Sequence, residues 1–130
     1  MWAWGSNGFG QLGTGNLANS TTPVQTTNIS GGVGLIACGE YHSLAVTSGG
    51  AMYAWGSNIN GQLGDNGSTN RSTPYQLTSP VAVVAISGGG RHSAAINTRG
   101  ELFVWGDNFF GQVGNKSGNF NPASAGLNVL

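Results

Sequence analysis

One ten-residue phrase returns three times along this chain: W-G-S-N-G-F-G-Q-L-G from Trp4 to Gly13, W-G-S-N-I-N-G-Q-L-G from Trp55 to Gly64, and W-G-D-N-F-F-G-Q-V-G from Trp105 to Gly114. The tryptophans are 51 and 50 residues apart. A second phrase keeps the beat, since G-E-Y-H-S-L-A-V from Gly39 recurs as G-G-R-H-S-A-A-I from Gly89. A third marker, Thr22-Pro23, Thr73-Pro74 and Asn121-Pro122, follows each Trp by 19, 19 and 17 residues. A period near 50 residues makes each repeat one supersecondary unit that needs neighbours to bury its faces. Residues that recur with the period therefore serve the architecture first.

Four short extended runs fill each unit. Val33 to Cys38 is apolar and bounded by glycines, Ser43 to Thr47 follows, the Ser48-Gly49-Gly50 turn closes a hairpin, and Ala51 to Trp55 is the third run. The next unit repeats them as Val83 to Ser87, Ser93 to Asn97 and Glu101 to Trp105. A weaker fourth strand is expected from Val24 to Thr27 and from Tyr75 to Thr78, each starting after its proline, which has no N–H to donate. The third run is apolar on both faces, Tyr53 and Trp55 pointing one way and Met52 and Ala54 the other. Strands of that kind belong in sheets covered on both sides. The expected fold is all-β, a partial β-propeller of four-stranded antiparallel blades stacked face to face, with no helical pattern anywhere. Counted by the G-x-x-H phrase, the units are 1–38, 39–88 and 89–130. Cys38, the only cysteine, reads as a small buried strand residue, with no disulfide and no cysteine metal framework to join.

The combination of G-x-x-H-S, aromatic-x-W-G, N-x-x-G-Q-L-G and T-P resembles the repeat of the regulator of chromosome condensation family, and the resemblance covers essentially the whole chain. Kelch repeats are similar in length but lack the W-G-x4-G-Q-x-G phrase. The resemblance implies a seven-bladed propeller, which at this period needs roughly 350 residues. A chain of 130 residues is then about two and a half repeats and too short to close a ring alone. The expectation is a piece of a larger propeller, with open edges and an uncapped blade face that the missing blades would cover; the alternative is a complete small protein that self-associates through those edges. Family roles include exchange-factor activity on a small nuclear GTPase, chromatin docking and ubiquitin-ligase scaffolding, and none of their sites carries over residue by residue. The family also includes a plant ultraviolet photoreceptor whose chromophores are tryptophans in a G-W-R-H-T phrase. Here Gly90 stands at that Trp position and Glu40 in the preceding unit, so light sensing is not implied.

Charge narrows the class of partner. Four basic and four acidic residues leave a formal net charge of zero and a charged fraction of 6%, against about 25% in ordinary domains. Such a chain has no basic footprint for phosphates, which argues against nucleic acid and against an anionic membrane surface. No apolar run approaches the ~18 residues of a membrane-spanning helix. Five Asn-x-Ser/Thr triplets begin at Asn19, Asn28, Asn66, Asn70 and Asn115, in a composition that supplies several by chance.

Histidines 42 and 92 share one repeat position and have no second ligand three or four residues on, so they read as structural imidazoles rather than metal ligands or bases. The neighbouring Ser43 and Ser93 point to the opposite strand face, which is poor geometry for a nucleophile and base. No catalytic residue, cofactor or metal site is expected. Trp4, Trp55 and Trp105 read as packing anchors with an indole N–H for a loop carbonyl. Variation between units is the better guide to partners. It singles out Phe9, Asp65, Arg71, Phe109, Phe110, Lys116 and Phe120 on the loops after each tryptophan as candidate contacts for a protein partner. The expected function is a non-catalytic protein-interaction scaffold. The alternative is a guanine-nucleotide-exchange factor or other regulator of a small GTPase within a full propeller.

Overall fold

A computed structural model describes residues 1–114, and the expectations placed on Lys116, Phe120 and Asn121-Pro122 lie outside them. The described chain is all strand: β1 (Trp2–Gly5), β2 (Ser20–Gln25), β3 (Val33–Cys38), β4 (His42–Thr47), β5 (Met52–Gly56), β6 (Arg71–Gln76), β7 (Val83–Gly88), β8 (His92–Asn97) and β9 (Leu102–Gly106). They form three antiparallel sheets in chain order, β1-β2, β3-β4-β5-β6 and β7-β8-β9. Each sheet is a propeller blade. The second has four strands, while the first consists of the two outer strands alone.

Blades stack face to face, as the two-sided apolar strand requires. All of β5 is buried. Its Tyr53 and Trp55 join Ala45 in one cluster with Met1, Ile29 and Val33. Its Met52 and Ala54 join Leu44 and Val46 in another that takes in Ala95 and Trp105 of the third blade. The second blade thus has a leading face that presents Trp55 to the preceding blade and a trailing face that receives Trp105 of the next. Burying a side chain of this size on one face and aliphatics on the other is the main source of cohesion between units.

Where the preceding half-blade is thin, the leading face of the second blade is left open. Ile36 and Cys38 pair with Ala45 and Ser43 across β3 and β4, so they lie on that face, where they border an open cavity between the two sheets that Met1 to Trp4 also line. Cys38 is therefore exposed, in contrast to the buried position its apolar neighbours suggest. Trp4 departs for the same reason. It holds the repeat position of Trp55, yet it is 63% exposed against 1%, because no blade precedes it in the described structure.

The outer strands also run differently from expectation. β2 and β6 begin before their prolines, and three residues, Ser72, Thr73 and Pro74, lie opposite the single Trp55 between the pairs Ala54↔Tyr75 and Gly56↔Arg71. The same irregularity sets Thr21, Thr22 and Pro23 opposite Trp4. A bulge on an edge strand leaves a residue out of the ladder, so a proline without an N–H sits inside the strand at no cost in hydrogen bonds.

On the inner side, blades approach closely enough to dictate residue type. A Cβ at Gly88 would lie 2.6 Å from the Cys38 carbonyl, so only glycine lets β7 pack on the end of β3.

Trp55→Ala should destabilise the chain by roughly 3–5 kcal/mol in dilute solution, whereas Trp4→Ala should change it by no more than about 0.5 kcal/mol. Urea unfolding of the two variants side by side checks this, and equal losses would mean that the exposed Trp4 is a packing residue after all.

Candidate functional site and interblade latch

The recurrent G-Q-L-G phrase is a receptor for the next blade. The Gln11 carbonyl accepts from Trp55 Nε1 at 2.8 Å and from Ser43 Oγ at 2.8 Å. One blade on, the Gln62 carbonyl accepts from Trp105 Nε1 at 2.9 Å and Ser93 Oγ at 2.7 Å. The glycine two residues later must stay bare. A Cβ at Gly13 or Gly64 would meet the incoming indole nitrogen at 2.8 or 2.7 Å, and both residues hold a positive φ, +70° and +75°.

His42 completes the second latch. Ser93 commits its hydroxyl proton to the Gln62 carbonyl, so the 2.8 Å contact between its Oγ and His42 Nε2 is best read as a bond from the imidazole N–H to the serine oxygen. That leaves the proton off Nδ1, which is buried without a hydrogen-bond partner. The ring lies on the backbone of Gly39, where a Cβ would fall 2.0 Å from His42 Cε1. A histidine and a serine do meet here, across blades rather than along one strand. Both are sealed from solvent and the serine proton points at a carbonyl, so the pair is a latch without access to a substrate. His92 has no such serine opposite it among the described residues.

Burial, with a smaller contribution from the charge of His92, lowers the His42 pKa from 6.5 to about 4. Because the folded pKa lies below the unfolded one, protons favour the unfolded chain. Stability from this site is complete above about pH 6.5 and drains away as pH falls toward 4. The loss should be on the order of 3 kcal/mol. Urea midpoints across that range check it, and a His42→Gln chain with the same slope would remove His42 as the cause.

The loops after β1, β5 and β9 are built on side-chain amides. Asn7 accepts from the Leu12 amide at 2.9 Å and donates to the carbonyls of Asn16 and Ala18. Asn58 accepts from the Leu63 amide and donates to Asp65 and Gly67. Asn108 accepts from the Val113 amide. The glutamines at positions 11, 62 and 112 accept from the amides of Phe9, Asn60 and Phe110. None of these three asparagines stood out as a site from the sequence; their recurrence within the repeat phrase was the available signal.

Of the candidate contacts, Asp65 turns into its own loop. Its side chain is 2% exposed and pairs with Arg71, while also accepting from Asn58 and the Gly67 amide. Burial pushes the carboxyl up, but those hydrogen bonds and the Arg71 charge more than offset it and hold it below its usual value. Arg71 lies 3.8 Å over the Tyr75 ring. The two residues staple the loop, so Arg71→Ala should lower stability by about 1–3 kcal/mol by leaving a buried carboxylate short of a donor. Thermal and urea unfolding read this out, and an unchanged melting curve would return Arg71 to the free surface.

The aromatic candidates gather at one end of the blades. His42 pairs with Gly56 and His92 with Gly106, so the β3–β4 and β7–β8 turns lie beside the loops that follow β5 and β9. The Tyr41 and Arg91 carbonyls accept from the Ser57 and Asp107 amides at 2.8 Å. Phe9 packs on Tyr41 of the next blade with ring centroids 4.9 Å apart. Phe109 and Phe110, 71% and 86% exposed, form a T-shaped pair at 4.8 Å. Ile59, which sequence reasoning passed over, occupies the repeat position of Phe109 and is 77% exposed. Aligning the two loop tips would have found it. Two ion pairs are present among the described residues, Asp65–Arg71 and Glu101–Arg99. The other charged side chains among the described residues, Glu40, Arg91 and Asp107, all lie at this same end. No group of three His, Cys, Asp or Glu side chains placed to hold a metal occurs among the described residues, and no helix there is long and apolar enough to cross a membrane.

Stacked antiparallel blades latched through a repeated tryptophan define a propeller-type repeat protein. The chain belongs to the regulator of chromosome condensation (RCC1) repeat family, whose model matches residues 1–46 and 49–96; a second model of the same repeat matches residues 35–62 and 83–112. In Arabidopsis thaliana, the mitochondrial RCC1 domain-containing protein RUG3 is 37% identical over 68% of this chain and 21% of its own length. The ultraviolet-B receptor UVR8 of the same plant is 38% identical over 68% of the chain and 20% of its length. Among solved structures, human WBSCR16 superposes with a TM-score of 0.80 at 26% identity, over 92% of this chain and 32% of that one. Prp20p of Saccharomyces cerevisiae, described with its binding properties to Gsp1p and histones, gives 0.76 at 25% identity, over 89% and 31%. The chain thus spans about a fifth of these plant relatives and about a third of these structures.

Proposed function

We infer that this chain is a non-catalytic protein-interaction scaffold that holds a protein partner on the loop-tip end of its blades. The observation that carries this reading is the coincidence, at that one end, of exposed Phe109, Phe110, Ile59 and half-exposed Phe9 and Tyr41 with the charges not used in ion pairs. Large apolar tips with a few charges of both signs suit a protein surface, since aromatic side chains dominate the energetics of such contacts. They do not suit a polyanion, which requires a basic stripe. The family supports the reading in general terms, because Prp20p is described as a binder of proteins.

A second reading, regulation of a small GTPase such as guanine-nucleotide exchange, rests on the family resemblance. It requires that the chain speed nucleotide release from a GTPase; a binding scaffold leaves that rate unchanged.

The scaffold reading is tested by placing a photo-cross-linking amino acid at Phe110, and separately at Ser48 in the hairpin at the opposite end, and exposing both chains to cell extract. A discrete protein adduct is expected from position 110 alone. Phe109→Ala should then weaken binding of that protein by about tenfold, with the melting curve unchanged. Equal adducts from both ends would show that the loop tips are not the binding surface.

A further inference from the structure

The dipeptide Asn-Gly occurs three times, at Asn7-Gly8, Asn60-Gly61 and Asn66-Gly67. It is a reactive setting for an asparagine, because a glycine nitrogen with no Cβ beside it turns readily onto the side-chain carbonyl carbon of the residue before it. The fold treats the three differently. Asn7 is fully buried. Its Nδ2 donates to the carbonyls of Asn16 and Ala18 and its Oδ1 accepts from the Leu12 amide, so the side chain cannot swing. At Asn60 it is the attacking nitrogen that is held. The Gly61 amide donates to the Asn58 carbonyl at 2.9 Å, Gly61 is itself buried, and so is Asn60 Oδ1. Asn66, by contrast, is exposed, as are Ser68, Thr69 and Asn70 after it, and its side chain has no hydrogen-bond partner among the described residues. Its main chain holds a φ of +61° and must turn before the Gly67 nitrogen faces the side chain. Two bonds resist that turn, from the Gly67 amide to Asp65 Oδ1 at 3.1 Å and from Asn58 Nδ2 to the Gly67 carbonyl at 3.2 Å. Both lie within one loop, so it opens there while the blade stays folded.

We propose that Asn66 is a site of spontaneous covalent modification, converted to aspartate and isoaspartate through attack by the Gly67 main-chain nitrogen. The nitrogen bonds to Asn66 Cγ, the Cγ–Nδ2 bond breaks, and the amide proton of Gly67 leaves with the nitrogen as ammonia. Water then opens the cyclic imide. Opening at the former side-chain carbonyl gives aspartate, and opening at the main-chain carbonyl gives isoaspartate, in which the chain runs on through the former side chain. Water is the only co-reactant, and nothing is oxidised or reduced. Either product adds a negative charge next to the Asp65–Arg71 pair. Isoaspartate also lengthens the main chain by a methylene between Asp65 and Gly67, so Gly67 no longer sits at a fixed distance from Asp65 and Asn58, and the loop that those bonds close is loosened.

The test keeps the whole 130-residue chain in neutral buffer over weeks and samples it by peptide mass spectrometry, with isoaspartate identified by its labelling with isoaspartyl methyltransferase. Asn66 should convert at least about tenfold faster than Asn7 or Asn60, which react only when the chain opens more widely. In guanidinium chloride, where the fold no longer discriminates, all three should convert at comparable rates. Gly67→Ala separates the chemistry from the folding. Gly67 is not among the glycines of positive φ, and a Cβ there would meet nothing nearer than Asp65 Oδ1 at 3.4 Å. That variant should therefore keep the wild-type circular dichroism and slow conversion of Asn66 by about tenfold, because the added methyl hinders the attacking nitrogen. Conversion led by Asn7 or Asn60 in the folded chain would overturn the proposal, as would equal rates at all three. An unaltered rate in a folded Gly67→Ala chain would do the same, by removing the Gly67 nitrogen as the attacking group.

Discussion

The carbonyl of a glutamine in a Gly-bounded turn receives, from the following blade, both an indole N–H and a serine hydroxyl. Two donors on one acceptor, partly withdrawn from water at Gln11 and fully at Gln62, make a bond pair that is directional where the surrounding apolar contact is not. Hydrophobic stacking alone would let two flat sheets slide or rotate over each other. The shared carbonyl sets where each blade sits on its predecessor, and the imidazole of His42, tied to the same serine, extends the constraint from the outer strands toward the inner ones. The buried, uncharged state of that imidazole is what lets it lie there. A protonated ring would carry charge into a seam lined by glycine backbone.

A chain with so few ions builds the rest of its polar structure from amides. Asn7, Asn58 and Asn108 replace a segment of secondary structure within their loops, satisfying backbone groups that would otherwise be buried without partners. Asp65 is the exception that shows the rule. Where the second repeat carries a carboxylate in this region, it supplies Arg71 beside it, and that arginine lies on Tyr75. The outcome is a charged variant of the same closed loop.

Much of the architecture was legible in the sequence because the repeat states it more than once. Strand order, the two-sided third strand and the place of His42 in the frame rather than at a loop tip follow from comparing one unit with the next. Positions that depend on a neighbour escaped that reasoning. Trp4 and Cys38 have the local sequence of buried residues, and burial is decided by a blade face that either is or is not opposite them. The prolines of β2 and β6 suggest strand starts when a ladder hydrogen bond is expected at every strand position, whereas a bulge removes it. On the loop-tip face, Phe9, Phe109 and Phe110 stood out as aromatics; Ile59 did not, since an aliphatic in an Asn-rich turn carries no signal until the tips are superposed. Asp65 and Arg71 looked like surface variation because six residues of separation hide a pair that the loop closes.

The side-chain bonds that close each tip loop have a further consequence. Gln11, Gln62 and Gln112 hold the residue just before the glycine by its backbone N–H, and the asparagine earlier in the loop holds the backbone after the glutamine. Neither bond consults the side chains of Gly8-Phe9, Ile59-Asn60 or Phe109-Phe110. Those pairs are thus free to diverge while the loop keeps its shape, and the three units have diverged there. A repeat of this kind separates inheritance into a frame that must be copied and a two-letter slot that need not be, so new recognition can arise by substitution at the slot without a compensating change elsewhere in the blade.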